Sequence, residues 1–309
     1  MKIGVVLNGI SLEKDFFYNN YLPALLREHE VDVFETRALN DAISISQALV
    51  RKSYPMIIAA GGDGTINQVV NGMLSELRSD SFLPTLCILP LGSGNDFART
   101  LNLKTDVDSL LRRITAGTIA SIDVGEIHFS LSQSVGSTNS MQSIRYFVNV
   151  ADVGMGPTVV RGVLDGGKAF GSAVAYYKSI LKTFFTYRPV LLEASGDGWK
   201  WRNRMRTFAI GNAKYFGNGL CIAPEARIDD GVFDVFAVGP VSVLDFIIQS
   251  IPMKQSKKVR HREVSYFRSS HIELTSPSPV EIEADGEIIG WLPATIRVCS
   301  RKLPLLIEK

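Results

Sequence analysis

Three glycine turns in the first half of the chain are where these residues could hold an anion. Gly61-Gly62-Asp63-Gly64-Thr65 follows the apolar run Met56 to Ala60 and leads into Thr65 to Leu77, where Ile66, Val69, Val70, Met73 and Leu74 share one helical face. A strand, a glycine turn and a helix start together suit a phosphate. The glycines let the backbone come close, and the helix start offers free N–H groups and the positive end of its dipole. A nucleotide phosphate is the natural guest, although such a turn can also be only a turn. The spacing is neither G-x-x-x-x-G-K-S/T nor G-x-G-x-x-G, so this is a different phosphate turn, without a P-loop lysine. Gly92-Ser93-Gly94-Asn95 closes the run Thr85 to Leu89 after Pro90, and Asn8-Gly9 closes Lys2 to Leu7. Asp285-Gly286-Glu287 sets two carboxylates around a strong hairpin dipeptide. Asp229-Asp230-Gly231 is a similar turn. Each of the last two, taken alone, reads as a plain turn as readily as a site.

The elements that must position these turns alternate. Lys2 to Leu7 reads as a strand, Tyr18 to Glu28 as a helix with Tyr21, Leu22, Leu25 and Leu26 at helical spacing, and Val31 to Phe34 as a strand. Ala42 to Lys52 is helical, and Met56 to Ala60 and Thr85 to Leu89 are buried-type strands. Strands alternating with helices imply crossovers and a parallel sheet, whose ligands sit beyond the carboxyl ends of the strands, where the three turns collect. After about Ile119 the pattern changes. Ile122 to Phe129, Ile144 to Val150, Val190 to Ala194, Trp199 to Asn212, Gly231 to Val238, Ser270 to Thr275, Val280 to Ala284 and Thr295 to Val298 read as strands, with one helix at Ser172 to Phe185. This is an antiparallel-rich second domain, a sandwich or an open barrel. Ser132 to Ser143, polar throughout but for Val135 and Met141, reads as a long hairpin loop.

Composition narrows the classes of partner. With 33 basic and 31 acidic residues in 309, the net charge of +2 is too balanced for a protein that neutralises many phosphates of a nucleic acid. Cys87, Cys221 and Cys299 are far apart, with no C-x-x-C pair, which fits a reducing cytosol without thiolate metal sites. The opening apolar run is too short for a signal segment. The stretch Val232 to Ile251 holds Asp234, Pro240 and Asp245, so no transmembrane segment is expected. Lys254, Lys257, Lys258, Arg260, His261 and Arg262 form a basic run, either a solvated face or an attractor of anionic lipid at roughly 1 kcal/mol per base. Trp199, Trp201, Arg202, Arg204 and Arg206 alternate as on a strand, suiting an interfacial edge or an exposed hairpin. His29, His128, His261 and His271 have no partner at ligand spacing.

Taken together, the motifs resemble the diacylglycerol kinase catalytic-domain family, which also covers sphingosine kinases and bacterial lipid kinases and is more distantly related to NAD kinases. Gly61-Gly62-Asp63-Gly64-Thr65 with Asn67 resembles its first signature. Leu89-Pro90-Leu91-Gly92-Ser93-Gly94-Asn95-Asp96-Phe97-Ala98-Arg99 resembles P-x-G-T-x-N-D-F-A-R, with Ser93 keeping the hydroxyl of the usual threonine. Phe147-Val148-Asn149-Val150 leading to Gly154, the block from Ile210-Gly211-Asn212 through Asp229-Asp230-Gly231-Val232-Phe233-Asp234-Val235, and Ile282-Glu283-Ala284-Asp285-Gly286-Glu287 resemble later family motifs in order. One departure stands out. The family's Asn-Pro-x-Ser/Ala-Gly is here Asn8-Gly9-Ile10-Ser11, so only Asn8 carries over.

The resemblance implies an N-terminal α/β domain with a parallel sheet in three layers, over residues 1–120, and a C-terminal antiparallel β-sandwich domain, over 121–299. The last residues, about 300–309, return to the first domain, and the nucleotide lies in the cleft between the two. It implies a cytoplasmic, ATP-dependent kinase of a lipid hydroxyl, most simply diacylglycerol, met at a membrane surface on its inner face. Gly62, Asp63, Gly64, Thr65, Ile66, Asn67 and Gln68 would wrap the phosphates, with Ser93 from the next turn and Asn8 and Thr36 beside the nucleotide. Glu287 would accept the hydroxyl proton, with Asp285 on the same turn. Asp63 and Asp96 would hold a catalytic Mg2+, and Asp230 with the carbonyls of Arg227 and Val232 a structural one. Phosphoryl transfer needs chiefly positioning, charge neutralisation and an oriented nucleophile, which one base with a phosphate turn and Mg2+ supplies. An NAD kinase-like enzyme and a non-catalytic nucleotide sensor are the alternatives. A homodimer through a strand edge of the second domain is left open.

Overall fold

The structure, a computed structural model, describes residues 1–76, 82–132, 142–165 and 172–308. The chain divides into two units, Met1–Ile122 with everything from Arg301 onward, and Asp123–Ser300.

The first unit is built on strands β1 (Lys2–Leu7), β2 (Glu30–Glu35), β3 (Met56–Gly61), β4 (Thr85–Pro90) and β5 (Thr118–Ile122). The last strand of the chain, β19 (Leu303–Ile307), joins them in the order β2-β1-β3-β4-β19-β5. All neighbours run parallel except β19 and β5. β3 and β4 are buried along almost their whole length, as a sheet covered on both faces requires. One face packs on α1 (Lys14–Phe16), a π turn at Phe17–Tyr21, α2 (Leu22–Leu25) and the later helix α6 (Val107–Ala116), through Phe17, Tyr21, Leu25, Leu110 and Ile114. Against the other lie α3 (Asp41–Arg51) and α4 (Asp63–Ser75). A short helix, α5 (Asp96–Thr100), follows β4. The helix expected at Tyr18 to Glu28 therefore starts earlier and is broken by the π turn. Helices α5 and α6 are additional to those expected.

Among the described residues of the second unit every strand pair is antiparallel. Its strands are β6 (Gly125–Ser130), β7 (Gln142–Phe147), β8 (Val150–Gly154), β9 (Val190–Gly196), β10 (Trp199–Met205), β11 (Thr207–Gly211), a small ribbon β12 (Tyr215–Phe216) and β13 (Leu220–Cys221), β14 (Phe233–Val238), β15 (Val264–Ser269), β16 (His271–Thr275), β17 (Glu281–Ala284) and β18 (Glu287–Val298). The main sheet runs β10-β9-β16-β18-β17-β8-β11-β14-β15, with β6 and β7 added beside β18. It folds over a core of Ile127, Phe147, Phe208, Phe233, Ile272 and Ile296 among others, which makes it sandwich-like. Three helices, α7 (Met155–Asp165), α8 (Ser172–Thr186) and α9 (Val243–Lys254), accompany it, and their buried residues form a second apolar cluster with Val150, Ala209 and Phe236.

Several expected strands are cut where the chain changes partner. Trp199 to Asn212 is two strands, because Arg206 carries the chain from a pairing with β9 to one between β8 and β14. Ile122 to Phe129 and Ile144 to Val150 are divided in the same way. Helices α7 and α9 and strand β15 are likewise additional to the expected elements. Of the polar stretch expected as a hairpin loop, residues 133–141 lie outside the described residues, and β6 and β7 on its flanks do pair antiparallel. Trp199 stacks on Phe267 with ring centroids 4.6 Å apart and Trp201 packs on Phe208, so these rings serve the sandwich core. Among the described residues no helix is long and apolar enough to cross a membrane.

Candidate functional site

Because β1, β3 and β4 are parallel neighbours, their carboxyl ends bring Asn8-Gly9, Gly61 to Gly64 and Gly92 to Asn95 to one edge of the first sheet. The last two turns touch. A Cβ on Gly92 would lie 2.3 Å from the Gly62 Cα, so neither chain could approach if Gly92 carried a side chain. Asn95, itself left-handed at φ 54°, clamps the turn by donating from Nδ2 to the Gly92 carbonyl at 2.6 Å and accepting the Gly92 N–H at 3.2 Å. Asp63, first residue of α4, accepts the N–H groups of Asp96 and Phe97, both at 3.0 Å, and so ties one turn to the helix that leaves the other.

Gly62 caps α4 without any side-chain bond, and Ile66 is the first residue whose amide turns back, to the Gly62 carbonyl at 3.1 Å. The amides of Asp63, Gly64 and Thr65 therefore form the helix start that an anion can meet. Ile66 is fully buried, and Asn67, 4% exposed, accepts from Asn71. Neither side chain faces outward. Gln68 is half-buried, and Ser93 is exposed at the tip of its turn. Thr36 lies at the neighbouring turn, where its hydroxyl accepts the Gly9 N–H at 3.2 Å, and the Asn8 Oδ1 accepts the Ile10 N–H. The structure thus gathers Gly62, Asp63, Gly64, Thr65 and Ser93, with Asn8 one strand away after β1 and Thr36 two strands away after β2.

At the glycine turns the carboxylates that a magnesium ion could meet are those of Asp63 and Asp96. Asp96 is 5% exposed, with Arg99 Nε 3.7 Å from its Oδ1, and each Asp63 oxygen already accepts one amide. No cluster of three metal-ligating side chains occurs among the described residues. Two carboxylates alone suit a hard ion that completes its shell with phosphate and water oxygens.

In the second unit Asp285-Gly286 forms the two-residue turn between β17 and β18, with φ 49° and 92°, the left-handed pair that an Asp-Gly hairpin uses. The Asp285 carboxylate is turned inward. Its oxygens accept the N–H groups of Val148, Asn149 and Val150 at 2.9, 3.0 and 3.0 Å. Asn212 Nδ2 donates to the Val148 carbonyl at 2.8 Å and to that of Asp123 at 3.1 Å. Three motif segments far apart in sequence are therefore one hydrogen-bonded knot. Glu287, half-buried, begins β18 just beyond it.

A second carboxylate pair lies beneath this hairpin. Asp152 and Glu283 face each other across β8 and β17, 1% and 0% exposed. Burial raises the carboxyl pKa of both, and the Asp152 charge raises Glu283 further, so the pair holds a proton between them. The Thr207 hydroxyl donates to Asp152 at 3.1 Å, and the Gly286 N–H donates to Glu283. Sequence reading missed this pair. Its signal was an acid at the centre of the otherwise apolar strand Val150 to Gly154 and, in Glu281-Ile282-Glu283-Ala284, an acid set between two apolar residues.

Arg227, Asp230 and Val232 share one loop, pinned by the buried Asp123, which accepts the Gly231 N–H at 2.7 Å and donates its own N–H to the Ile228 carbonyl at 2.6 Å. The Asp230 charge is met by Arg268, and Arg227 pairs with Asp229 at 3.4 Å.

Also in the second unit is an apolar cavity of about 100 Å3, or about 770 Å3 when the open space at its mouth is counted, walled by Val159, Ile180, Phe184, Leu220, Phe236 and Met253. Arg206 is the cation in its wall. The guanidinium lies 4.6 Å over the Phe184 ring and donates to the Phe184 carbonyl. A lining so nearly free of polar groups suits the apolar part of a ligand.

Residues 2–127 match the model of the Diacylglycerol kinase catalytic domain, and residues 150–307 that of the YegS C-terminal NAD kinase beta sandwich-like domain. Similar curated proteins include a diacylglycerol kinase of Bacillus subtilis (strain 168), 25% identical over 91% of this chain and 87% of that protein. One of Staphylococcus carnosus (strain TM300) is 28% identical over 90% and 86%. Among solved structures, a diacylglycerol kinase from Bacillus anthracis str. Sterne superposes with a TM-score of 0.71 at 19% identity, covering 99% of this chain and 97% of that one. At that identity the likeness speaks for the fold.

Proposed function

The chain belongs to the diacylglycerol kinase family, a family of phosphotransferases with an alcohol acceptor, and from that premise we propose that this lipid kinase moves the γ-phosphate of ATP to the hydroxyl of a diacylglycerol-type lipid. The single observation that carries the acceptor class is the apolar cavity, in the same unit as the Asp285-Gly286-Glu287 hairpin. The nucleotide phosphates rest on the amides of Asp63, Gly64 and Thr65, with Ser93 beside them and Asn8 and Thr36 toward the nucleoside. The acceptor oxygen forms a bond to the γ-phosphorus as the bond to the β–γ bridging oxygen breaks, and its proton passes to Glu287. Asp285 serves by holding the turn, since its oxygens already accept three amides. Mg2+ held at Asp63 and Asp96 supplies charge neutralisation to the phosphates when bound, and Asp230 with the Arg227 and Val232 carbonyls offers a second, structural position.

The test is transfer from γ-labelled ATP with Mg2+ to diacylglycerol, to total lipid extract and to NAD, with native protein, Glu287→Gln and Asp63→Ala. Labelled phosphatidate from native protein alone is the expected result. Labelled NAD without labelled lipid overturns the acceptor class, and ATP binding without any transfer overturns catalysis.

A further inference from the structure

Helix α9 is apolar on two opposite sides. Phe246, Gln249 and Met253 line the cavity. At 100° per residue Leu244, Ile247, Ile248 and Ile251 fall on the other side, and there they are 65%, 47%, 52% and 60% exposed. The only acid of the helix, Asp245, is bound at its start, where it accepts the Ser242 N–H and hydroxyl at 2.9 and 2.7 Å. A soluble helix normally turns charge toward water on its outer side. Here four large aliphatic side chains stand together instead, which marks an interaction surface.

The residues just after the helix decide the partner. Lys254 lies seven residues beyond Ile247 and so continues the same side, and Lys257, Lys258, Arg260 and Arg262 come directly after, all exposed. Lys258 pairs with Glu225 and Arg262 with Glu263, while Lys254 lies 4.5 Å over the Tyr177 ring, Lys257 donates to the neutral Gln255 at 3.0 Å, and among the described residues no acid pairs with Lys254, Lys257 or Arg260. An aliphatic strip bordered by cations that no acid neutralises is complementary to a surface with an apolar interior and anionic headgroups. A protein partner or a second copy would need acids set around an apolar groove, whereas an anionic bilayer offers both features without register.

We propose that α9 is a membrane-docking helix that lies in the headgroup layer of an anionic bilayer, with Leu244, Ile247, Ile248 and Ile251 inserted and Lys254, Lys257 and Arg260 at the phosphates. The cavity on the inner side of the same helix then stands next to the bilayer, and this clause alone rests on the lipid-kinase reading. The docking itself needs no nucleotide.

The experiment is sedimentation of the full chain with vesicles of phosphatidylcholine, with and without phosphatidylglycerol, in the absence of ATP. The native chain is expected to bind only the anionic vesicles and to be released by salt. Lys257→Glu with Arg260→Glu lies outside the helix, so helix stability is not in question. It should weaken binding at least about 25-fold, taking roughly fivefold for each of the two bases lost. Ile248→Gln with Ile251→Gln should weaken it on the order of 10-fold or more, with unchanged circular dichroism. Transfer to a short-chain, dispersed lipid should be unaffected in both variants. Failure of the native chain to bind anionic vesicles, or equal binding by the variants, overturns the proposal. So does light scattering that shows a dimer dissolved by the aliphatic substitutions. Vesicle binding without any lipid phosphorylation leaves docking standing and removes the kinase reading, so the two fail separately.

Discussion

Substituting Asp285 and Glu287 in turn separates two carboxylates that sit two residues apart. Asp285 is 5% exposed and accepts three backbone N–H groups at 2.9 to 3.0 Å. In Asp285→Ala those donors lose their partner. At about 1–3 kcal/mol for each buried group left unpaired, and with a water recovering part of it, the loss is roughly 3–6 kcal/mol. That is a large part of the 5–15 kcal/mol that typically separates folded from unfolded. Asp285→Asn keeps one oxygen for Asn149 and Val150 but turns an amide N–H2 toward the Val148 N–H, for a loss of about 2–4 kcal/mol. Glu287→Gln alters a half-buried side chain at the start of β18 and should shift stability by about 0.5 kcal/mol or less while abolishing transfer. The assay is urea unfolding followed by tryptophan fluorescence. Trp199, Trp201 and Trp291 all lie in the second unit, so the signal reports that unit alone. If Asp285→Asn unfolds at the native urea concentration yet loses transfer as completely as Glu287→Gln, the bracing role assigned to Asp285 is wrong.

Other substitutions probe the remaining geometry. The buried pair raises the pKa of Asp152 from 3.8 to about 6 and that of Glu283 well above its ordinary value, so the folded state holds more protons than the unfolded one above pH 4. Stability contributed by the pair is therefore present at low pH and is lost as pH rises through about 4 to 6 and beyond. Glu283→Gln should flatten that decline, seen as urea midpoints at pH 5 and pH 8 that lie closer together than in the native chain, and an unchanged gap would refute the shared proton. Gly64→Ala meets nothing within 4 Å in the free protein and adds a better helix former, so stability should rise by about 0.5–1 kcal/mol. ATP affinity should nevertheless fall, because the new methyl group stands where the phosphates approach, and a calorimetric titration with native affinity would move the phosphates elsewhere. Gly92→Ala should cost about 1–3 kcal/mol and ATP binding together, since its Cβ would overlap Gly62.

Local signals carried the first unit well. An apolar run, a glycine turn and an amphipathic stretch follow one another there, and each can be read without knowing what lies opposite. The π turn at Phe17–Tyr21 and the cut at Arg206 were not legible, because both depend on which strand or helix the chain meets next. Helix α9 was hidden for another reason. Its apolar residues occupy two sides, so no single helical stripe stands out from the stretch Val232 to Ile251. In the candidate site the motif residues were legible but their division of labour was not. That Asp285 grips Val148 to Val150 depends on a contact across 135 to 137 residues, and the Asp152–Glu283 pair on a register between two strands far apart in the chain.

Strand β19 lies between β4 and β5, an interior place in the first sheet. The unit that offers the phosphate turns therefore cannot be finished when its own stretch of chain has been made. During synthesis β4 waits with an open edge while all of Asp123–Ser300 emerges, and only Leu303–Ile307 closes it. Loss of these few terminal residues would open the middle of a sheet instead of trimming its rim. A ribosome-stalled chain lacking them should remain protease-sensitive in its first hundred or so residues even after the second unit has folded.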